Sequence, residues 1–432
     1  MSFQALPGFR DFPPEDLSFR SHIQAAWRRV AARYGFVEYD GPPLEPLDLY
    51  TAKSGDEIVT QLFEFTDKGD RRVAMRPEMT PTFARMVSAH AGGMRKPIRW
   101  FSVPQLFRYE KQQKGRLREH FQLNCDLVGE TDPRADAEVI ALAIDVCREL
   151  GLSSADFRVR LSDRVALNRI LTHAGLPVDR FADALGVIDK LERTGAPAAR
   201  ARLDELGLGS HADAIFRAAA IRSRADLEAH AKEIGIDAAE FGLLDVVAAL
   251  DAMGLGDYIE IDFTIVRGLA YYTGTVFELF DVQRSLRAIC GGGRYDTLLA
   301  SLGGVDLPAV GFGMGDVVLG ELLKERGLKP EMPSSIDAFV ASVTADDAPH
   351  VLALVHELRD AGLRVEHALA GGNLGKQLKL ADARGARMAV VIGPDDRERG
   401  EVQVKDLVRK LQEPVPRASV ATHCLHLLTT TD

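Results

Sequence analysis

Arg267 is the first residue whose surroundings suggest chemistry. It ends the segment 258–267 (YIEIDFTIVR), in which apolar residues alternate along a predicted strand and share one face: Ile259, Ile261, Phe263 and Ile265. Arg267 has the same parity, so its guanidinium is predicted to point towards the interior. Burying a guanidinium group there is unfavourable in free energy unless an anion pairs with it. The pattern therefore predicts either an anion-binding site or a structural salt bridge to a nearby carboxylate.

Two aromatic hydroxyls and a run of glycines follow this arginine. Tyr271 and Tyr272 lie in a predicted turn, and the sequence CGGGRYD begins at Cys290. Three consecutive glycines let the backbone approach a ligand closely, although a tight loop would explain them as well. Neither GxxxxGK[ST] nor GxGxxG occurs, so the glycines do not form a phosphate loop of either type.

A second group of candidate residues lies on a predicted antiparallel hairpin, with strands at 99–110 and 119–128. On the second strand Gln122, Asn124 and Asp126 share one face, and apolar residues share the other. A polar face in the middle of a sheet suits the floor of a binding site as well as a solvent face. Nearby arginines could clamp phosphate, and carboxylates such as Asp126 and Glu78 could hold an amine or an imidazole.

The hairpin is also the most basic part of an acidic chain. The 432 residues carry a net charge of −10, whereas positions 95–118 hold eight basic residues and one acid, a net charge of +7. The overall charge argues against wholesale wrapping of nucleic acid, but a local patch of this kind can bind phosphate. A solvated surface would explain it equally well.

The elements that must position these residues fall into three regions with different sequence patterns. The first 165 residues alternate between strand-like and helical segments, with helices predicted over 18–33 and from Asp132-Pro133 to Gly151. Positions 166–249 hold 20 alanines among 84 residues and are predicted to be helical. After the linker-like stretch 327–335, strands alternate with helices, which predicts a small α/β domain with a mainly parallel sheet.

Several classes of protein are excluded by composition. No apolar run approaches the ~20 residues of a membrane-spanning helix, and no apolar signal-peptide core occurs at the N-terminus. The four cysteines are scattered without a CxxC pair, so neither a disulfide scaffold nor a zinc ribbon is predicted. We therefore expect a cytoplasmic globular protein with no membrane partner.

Four stretches, in order along the chain, resemble the histidyl-tRNA synthetase family. They are Arg76-Pro77-Glu78 with Thr80, FRYEKQQKGRLREHFQLNCDLVGE, VRGLAYYTGTVFE and CGGGRYD. The second resembles motif 2 of class II aminoacyl-tRNA synthetases in general. The last two are similar to segments that are specific for the histidine enzyme, and the tail is similar to the family's anticodon-binding domain.

The resemblance implies an α+β catalytic domain, an antiparallel sheet flanked by helices, formed by residues 1–165 and 251–326. It further implies a helical insertion at 166–250, a linker at 327–335, a C-terminal α/β anticodon-binding domain at 336–432, and a homodimer. The implied reaction joins L-histidine and ATP, with Mg²⁺, into histidyl-adenylate and pyrophosphate. The terminal ribose hydroxyl of tRNA(His) then takes the histidyl group. No metal site built by the protein alone is expected.

The resemblance also assigns roles to individual residues. Arg108 and Arg267 would be catalytic, on the α-phosphate, and Arg116 would lie near the β- and γ-phosphates. Phe121 would stack on adenine, although its parity also fits ordinary core packing. The histidine substrate would be held by Glu78, Thr80, Gln122, Asp126, Tyr271 and Tyr272. Gln113 and Arg118 lie where the family meets the acceptor end of tRNA.

The chain departs from the family pattern at three positions. Val318 stands where class II motif 3 usually has an arginine, Ala270 replaces the commoner aspartate, and Asp126 replaces the commoner glutamate. Losing one electrostatic contact of the motif 3 kind costs about 10²–10³ in rate unless another cation substitutes, with Arg287 or Arg294 as candidates.

The motif 3 departure leaves a non-catalytic alternative open, a regulatory subunit of the ATP phosphoribosyltransferase type. The histidine signature and the C-terminal domain favour the synthetase instead. A plain tRNA-binding protein, the third alternative, would not explain the residues of the amino-acid pocket.

Overall fold

The computed structural model describes residues 3–51, 59–111, 115–266, 272–302, 304–330, 336–370 and 372–430. The chain forms two compact units, residues 1–330 and 331–432. The predicted site residues that fall among the described positions all belong to the first unit.

The first unit contains two sheets. Its strands are β1 Val37–Glu38, β2 Leu44–Pro46, β3 Glu64–Thr66, β4 Arg72–Met75, β5 Ile98–Ser102, β6 Gln105–Phe107, β7 Glu119–Val128, β8 Phe157–Asp163, β9 Ile259–Ile261, β10 Thr275–Asp281, β11 Cys290–Arg294 and β12 Ala309–Gly315. The larger sheet has the order β1-β5-β7-β12-β11-β10-β8-β9, with β6 also paired to β7, and β2-β4-β3 form the smaller one. Pairs in the larger sheet are antiparallel except β1 with β5 and β8 with β9 at its edges.

The predicted hairpin is confirmed, because β5 and β6 both run antiparallel to β7. The first of its strands is broken between Ser102 and Gln105. Pro104 lies in this break and has no N–H to donate to a ladder. Its carbonyl accepts a hydrogen bond from the backbone N–H of Gln122 at 3.1 Å, so the two halves remain attached to one partner strand.

One face of the larger sheet is apolar and builds the core. Phe101, Cys125, Phe312, Gly292 and Phe277 are register partners across five strands. A Cβ added to Gly292 would lie 2.6 Å from Cβ of Phe312 and 2.8 Å from Cζ of Phe277, so only glycine fits between the two rings. The same core takes in residues of the first unit's helices.

The helices of the first unit flank this sheet. They are α1 Pro14–Arg33, α2 Leu47–Thr51, α3 Thr80–His90, α4 Pro133–Glu149, α5 Arg164–His173, α6 Phe181–Ile188, α7 Leu191–Thr194, α8 Ala196–Glu205, α9 Ala212–Ala219, α10 Arg224–Glu233, α11 Gly242–Ala252, α12 Leu298–Ser301 and α13 Asp316–Glu325. The helix predicted after Asp132-Pro133 is confirmed as α4, where the Asp132 carboxylate accepts from the N–H of Arg134 at 2.9 Å.

The alanine-rich segment is helical, as predicted, from α5 to α11. Its buried residues share one core with the sheet instead of forming a separate one. Arg160 on β8 is buried and pairs with Glu192 at 3.1 Å and with Asp262 at 3.3 Å, which ties the helical segment to the sheet edge. We infer that these helices cannot move as a body without disturbing β8.

The strand predicted over 258–267 is wrong beyond Ile261. The described chain leaves the sheet at Asp262, whose carboxylate accepts hydrogen bonds from the N–H and the hydroxyl of Thr264, at 3.0 and 2.6 Å. Such a local turn competes with strand pairing. Thr264 and Val266 are buried along with Ile261, Phe263 and Ile265, so the parity argument fails. Arg267 itself lies outside the described residues.

The second unit is a small α/β domain. Its strands are β13 Ala338–Ser342, β14 Val365–His367, β15 Met388–Ile392, β16 Glu401–Asp406 and β17 Leu411–Pro416, in the order β14-β13-β15-β16-β17. Its helices are α14 Ala348–Asp360, α15 Leu374–Ala383, α16 Pro394–Arg399 and α17 Val420–Thr429. The three parallel strands were expected, whereas the antiparallel pairs of β16 with β15 and β17 were not.

In neither unit does a described helix combine the length and the apolar character needed to cross a membrane.

Candidate active site

Two adjoining cavities lie on the polar face of the larger sheet. The larger has a volume of about 450 Å³ and the smaller of about 80 Å³. Both are lined by Arg108, Gln122, Gly291 and Gly313. Arg108 therefore stands at the junction between them.

The smaller cavity has the predicted polar face of β7 as its floor. Gln122, Asn124 and Asp126 line it, while the apolar residues of alternate parity enter the core. Its remaining polar walls come from four other segments and include Glu78, Thr80, Tyr272 and Tyr295. The structure thus brings together five of the six residues predicted to hold the histidine substrate, and the sixth, Tyr271, lies outside the described residues.

Asp126 is a buried carboxylate in the floor of this cavity. Its side chain is buried and accepts a hydrogen bond from the hydroxyl of Tyr295, which arrives from the end of β11. Burial raises the pKa of Asp126 to about 7, against the opposing effect of the Tyr295 hydrogen bond. A buried carboxylate whose pKa is raised to near neutral pH is typical of a functional site.

Glycines on the neighbouring strands create the space above this floor. Gly311 is the register partner of Asp126, and a Cβ added there would lie 2.7 Å from the Cys125 carbonyl oxygen and closer still to the Asp126 carboxylate. A Cβ on Gly313 would lie 2.8 Å from the amide of Gln122. The glycines of β12 therefore leave room for the polar side chains of β7.

We expect Gly311→Ala to raise the KM for histidine at least tenfold, because the added methyl group must displace the Asp126 carboxylate. Histidine-dependent pyrophosphate–ATP exchange measures this effect. Gly186→Ala is the matched control, since Gly186 lies within α6 and nothing lies within 4 Å of its added Cβ. An unchanged KM in G311A would contradict the close packing of Gly311 against Asp126.

Arg108 is held in place by its own backbone contacts and by a neighbouring turn. Its Nε donates to the carbonyl oxygen of Pro77 at 2.9 Å. That turn is anchored by the buried Arg76, which donates to Asp40 and to the carbonyl of Gly41, both at 2.7 Å. The guanidinium of Arg108 is thus oriented before any ligand arrives.

The larger cavity is lined by three guanidinium groups and two carboxylates. Arg116 pairs with Glu110 at 2.9 Å, and Arg287 and Glu278 reach the cavity from the sheet's β10–β11 side. Val317 and Val318, at the start of α13, complete the wall. With Arg108 at the junction, the cavity has the cations needed to meet a polyphosphate.

Phe121 is not brought to either cavity, which corrects its predicted role in stacking on adenine. Alternation along β7 turns its ring to the other face, where it packs edge-on against Phe12 and lies 4.4 Å from the guanidinium carbon of Arg20. His120, one position earlier, lines the larger cavity. Burial, together with the nearby charges of Arg108 and Arg10, lowers the pKa of His120 to about 3, so its ring is neutral and aromatic at physiological pH.

Arg118, one of the two residues predicted to meet the acceptor end of tRNA, stands apart from the cavities. The Arg118 guanidinium carbon lies 4.2 Å from the centre of the Tyr109 ring, and its backbone N–H donates to Gly8 at 2.9 Å. Gln113, like Arg267 and Tyr271, lies outside the described residues. Arg118 contributes to neither cavity wall.

Sequence reasoning missed three residues that line the cavities: His120, Glu278 and Tyr295. The parity of β7 alone could have found His120, which shares a face with Gln122 and Asn124. Tyr295 lies 169 positions from Asp126, so their contact follows from strand pairing and not from any local pattern.

Comparisons with known proteins identify the family of the chain. The sequence profile of the histidyl-tRNA synthetase family matches residues 8–315, and that of the anticodon binding domain matches residues 337–426. The chain is 46% identical to a histidine--tRNA ligase of Opitutus terrae, over 97% of both chains. It is 38% identical to a chloroplastic/mitochondrial histidine--tRNA ligase of Arabidopsis thaliana, over 93% of this chain and 82% of that one.

A solved structure supports the fold. The histidyl-tRNA synthetase from Nostoc sp. PCC 7120 superimposes with a TM-score of 0.82 at 24% identity, over 99% of this chain and 100% of that chain. From the profile match over most of the chain and the identity to curated relatives along nearly its full length, the chain belongs to the histidyl-tRNA synthetase family.

Proposed function

We propose that this chain attaches L-histidine to tRNA(His) in two steps, and that the first step occurs where the two cavities meet. Ligase activity follows from membership of the family. The observation that supports the assignment of the site is Arg108, which lines both a small buried pocket with carboxylates and a larger cavity rich in guanidinium groups.

The smaller cavity suits histidine. Its walls offer the carboxylates of Glu78 and Asp126, which can accept hydrogen bonds from an amino group and from an imidazole N–H. Thr80, Gln122 and Tyr272 would add hydroxyl and amide groups around the substrate. A buried site of this kind rejects apolar amino acids strongly, because they would leave its polar groups unpaired.

The larger cavity suits ATP. The neutral ring of His120 offers a flat aromatic surface for adenine, in the role that the sequence had given to Phe121. Arg116 would meet the terminal phosphates, and Arg108 the α-phosphate at the junction. The roles of Arg267 and Tyr271 remain predictions from the family resemblance.

The chemistry then needs positioning and charge stabilisation rather than a general base. The carboxylate of histidine is already ionised, and one of its oxygens attacks the α-phosphorus of ATP. A bond forms between that oxygen and phosphorus, and the bond to the bridging oxygen breaks, which releases pyrophosphate. Arg108 donates hydrogen bonds to the α-phosphate oxygens as negative charge builds up on them.

Mg²⁺ is the expected partner of ATP. Glu110 and Glu278 line the larger cavity, and Mg²⁺ is commonly held by one or two carboxylates together with substrate phosphates. No group of three or more His, Cys, Asp or Glu side chains that could hold a metal ion occurs among the described residues. When bound, the ion would neutralise charge on the β- and γ-phosphates.

The second step requires tRNA(His), which we propose contacts both units. The basic stretch 95–118 would attract the acceptor end, with Arg118 and Gln113 as contacts. The α/β domain, residues 336–432, would read the anticodon, which its profile match supports. We propose that residues 1–165 and 251–326 form the catalytic core, that residues 166–250 form its insertion, and that residues 327–335 form the linker.

A homodimer that works in the cytoplasm completes the proposal, because the family resemblance implies the dimer and because ATP and tRNA are available in the cytoplasm. Sedimentation of the purified protein tests the dimer. A monomer at micromolar concentration that still aminoacylates tRNA would contradict it.

The decisive experiment is pyrophosphate–ATP exchange with Mg²⁺, screened across the twenty amino acids. We expect exchange with histidine alone, because only histidine can pair with the groups of the smaller cavity. Exchange with none of them, from folded protein, would favour the regulatory-subunit alternative. Exchange with several amino acids would contradict the assignment of the smaller cavity.

A further inference from the structure

We propose that Arg287 holds the terminal phosphates of ATP in this chain, in the place of the arginine that the family resemblance predicts at position 318. The inference rests on the proposed function and adds a residue to it. It starts from the wall of the larger cavity, where Val318 offers no charge.

Arg287 lies beside the position that lacks its arginine. The Cδ of Arg287 and the Cγ2 of Val318 lie 3.7 and 3.3 Å from the point that a Cβ on Gly115 would occupy. Both side chains therefore flank the same glycine in the loop before β7, at the wall of the larger cavity. A guanidinium that starts from Arg287 can thus reach the space that an arginine at 318 would serve.

The loop that carries Arg287 is rigidly built. The buried carboxylate of Asp281, at the end of β10, accepts hydrogen bonds from the N–H groups of Ser285 and Leu286, both at 3.0 Å. Leu286 is buried on one side of the exposed Arg287, and on the other side the N–H of the buried Ile289 donates to the carbonyl oxygen of Leu279 at 2.8 Å. A side chain on such a support loses little freedom when it meets an anion.

The charges around Arg287 favour an anionic ligand. Arg116 and Arg287 face the same cavity and repel each other. Burial and this neighbouring charge lower the pKa of Arg287, against the opposing charge of Glu110, which pairs with Arg116 at 2.9 Å. The N-terminus of α13, with Gly315, Val317 and Val318 at the wall, adds the positive end of a helix dipole. A polyphosphate between these groups would relieve the repulsion.

Arg294, the other candidate cation, is already committed elsewhere. It is buried, donates from Nε to the carboxylate of Asp136 at 3.1 Å, and reaches the carbonyl of Glu130 at 2.9 Å and Asp296 at 3.2 Å. It lines neither cavity. These contacts fix the end of β11, whereas Arg287 lines the larger cavity together with Val318.

Calorimetric binding of MgATP and of AMP tests the inference, because AMP lacks the terminal phosphates. We expect Arg287→Ala and Arg287→Gln each to weaken ATP binding about 10- to 100-fold, as for a lost charge-assisted hydrogen-bond pair. The affinity for AMP should stay within about twofold of wild type, which also shows that the variant folds. In exchange assays the KM for ATP should rise and that for histidine should not.

Arg284→Asn is the matched control. Arg284 lies in the same loop with φ 54°, a conformation that asparagine adopts readily, and it pairs with Glu192 outside the cavities. Unchanged ATP binding in R287A, equal losses of ATP and AMP binding, or an equal loss in R284N would each overturn the inference. The proposed function is tested by pyrophosphate–ATP exchange with the wild-type protein. The role of Arg287 is tested by the binding of ATP and AMP, which is measured without turnover, so failure of one hypothesis can be told from failure of the other.

Discussion

Replacing Arg108 with alanine is expected to lower the rate of histidine-dependent pyrophosphate–ATP exchange about 10³-fold at saturating substrates. Arg108 is the cation that lines both cavities, so it would meet the α-phosphate at the bond that changes. Its Nε is already held by the Pro77 carbonyl, so the guanidinium needs little rearrangement when the transition state forms. The loss should therefore appear in kcat more than in either KM.

Two further variants separate this role from a general effect of charge. Arg108→Lys keeps the charge but not the paired donors of a guanidinium, so it should recover only part of the rate. Arg99→Ala removes an arginine from the same basic stretch. Arg99 pairs with Glu138 at 2.6 Å and lines neither cavity, so the exchange rate of R99A should match that of the wild type. An exchange rate of R108A within tenfold of the wild-type rate would contradict a direct role of Arg108 in the reaction.

Local periodicity predicted the two faces of β7 correctly. The two faces of β7 follow from alternation alone, because successive side chains of a strand point to opposite sides. The same rule shows why Phe121 was the weakest of the predicted ATP ligands. It shares parity with the core residue Leu123, whereas His120 shares parity with Gln122 and lines the cavity.

Other features depend on contacts between distant parts of the chain. The strand predicted over 258–267 ends early because the Asp262 carboxylate bonds to Thr264, and a side-chain turn of this kind is not visible in an apolar alternation. The space above Asp126 depends on the register of β12 against β7, which places Gly311 opposite it. Likewise, Arg287 approaches Val318 through the fold and not through sequence spacing.

Asp126→Asn is expected to lower kcat/KM for histidine about 10²-fold at pH 8, as for the loss of a hydrogen bond to a buried charge. The ionised carboxylate is the stronger acceptor for an imidazole N–H. Since the pKa of Asp126 in the free protein is raised to about 7, wild-type KM for histidine should rise as the pH falls from 8 to 6. The substrate's own imidazole titrates near pH 6.5, so the comparison is with D126N, which retains only that titration.

The same substitution should stabilise the ligand-free protein. A carboxyl group whose pKa is higher in the folded state than in the unfolded state binds more protons when folded, so its contribution to stability falls as the pH rises from about 4 to 7. Asparagine carries no charge and avoids this cost. We expect D126N to raise the free energy of unfolding at pH 8 by about 2–4 kcal/mol, and the gain to disappear at pH 4.

Denaturant unfolding at the two pH values checks the effect, with Asp306→Asn as a control on an exposed carboxyl group of the same unit. Histidine adds a second readout, since a ligand that binds only the folded state stabilises it more when it binds more tightly. Wild type should therefore gain more stability from added histidine at pH 8 than D126N does. If D126N were instead less stable at pH 8, the bond from Tyr295 to Asp126 would be a structural support of the fold, and the carboxylate would not be retained for its substrate.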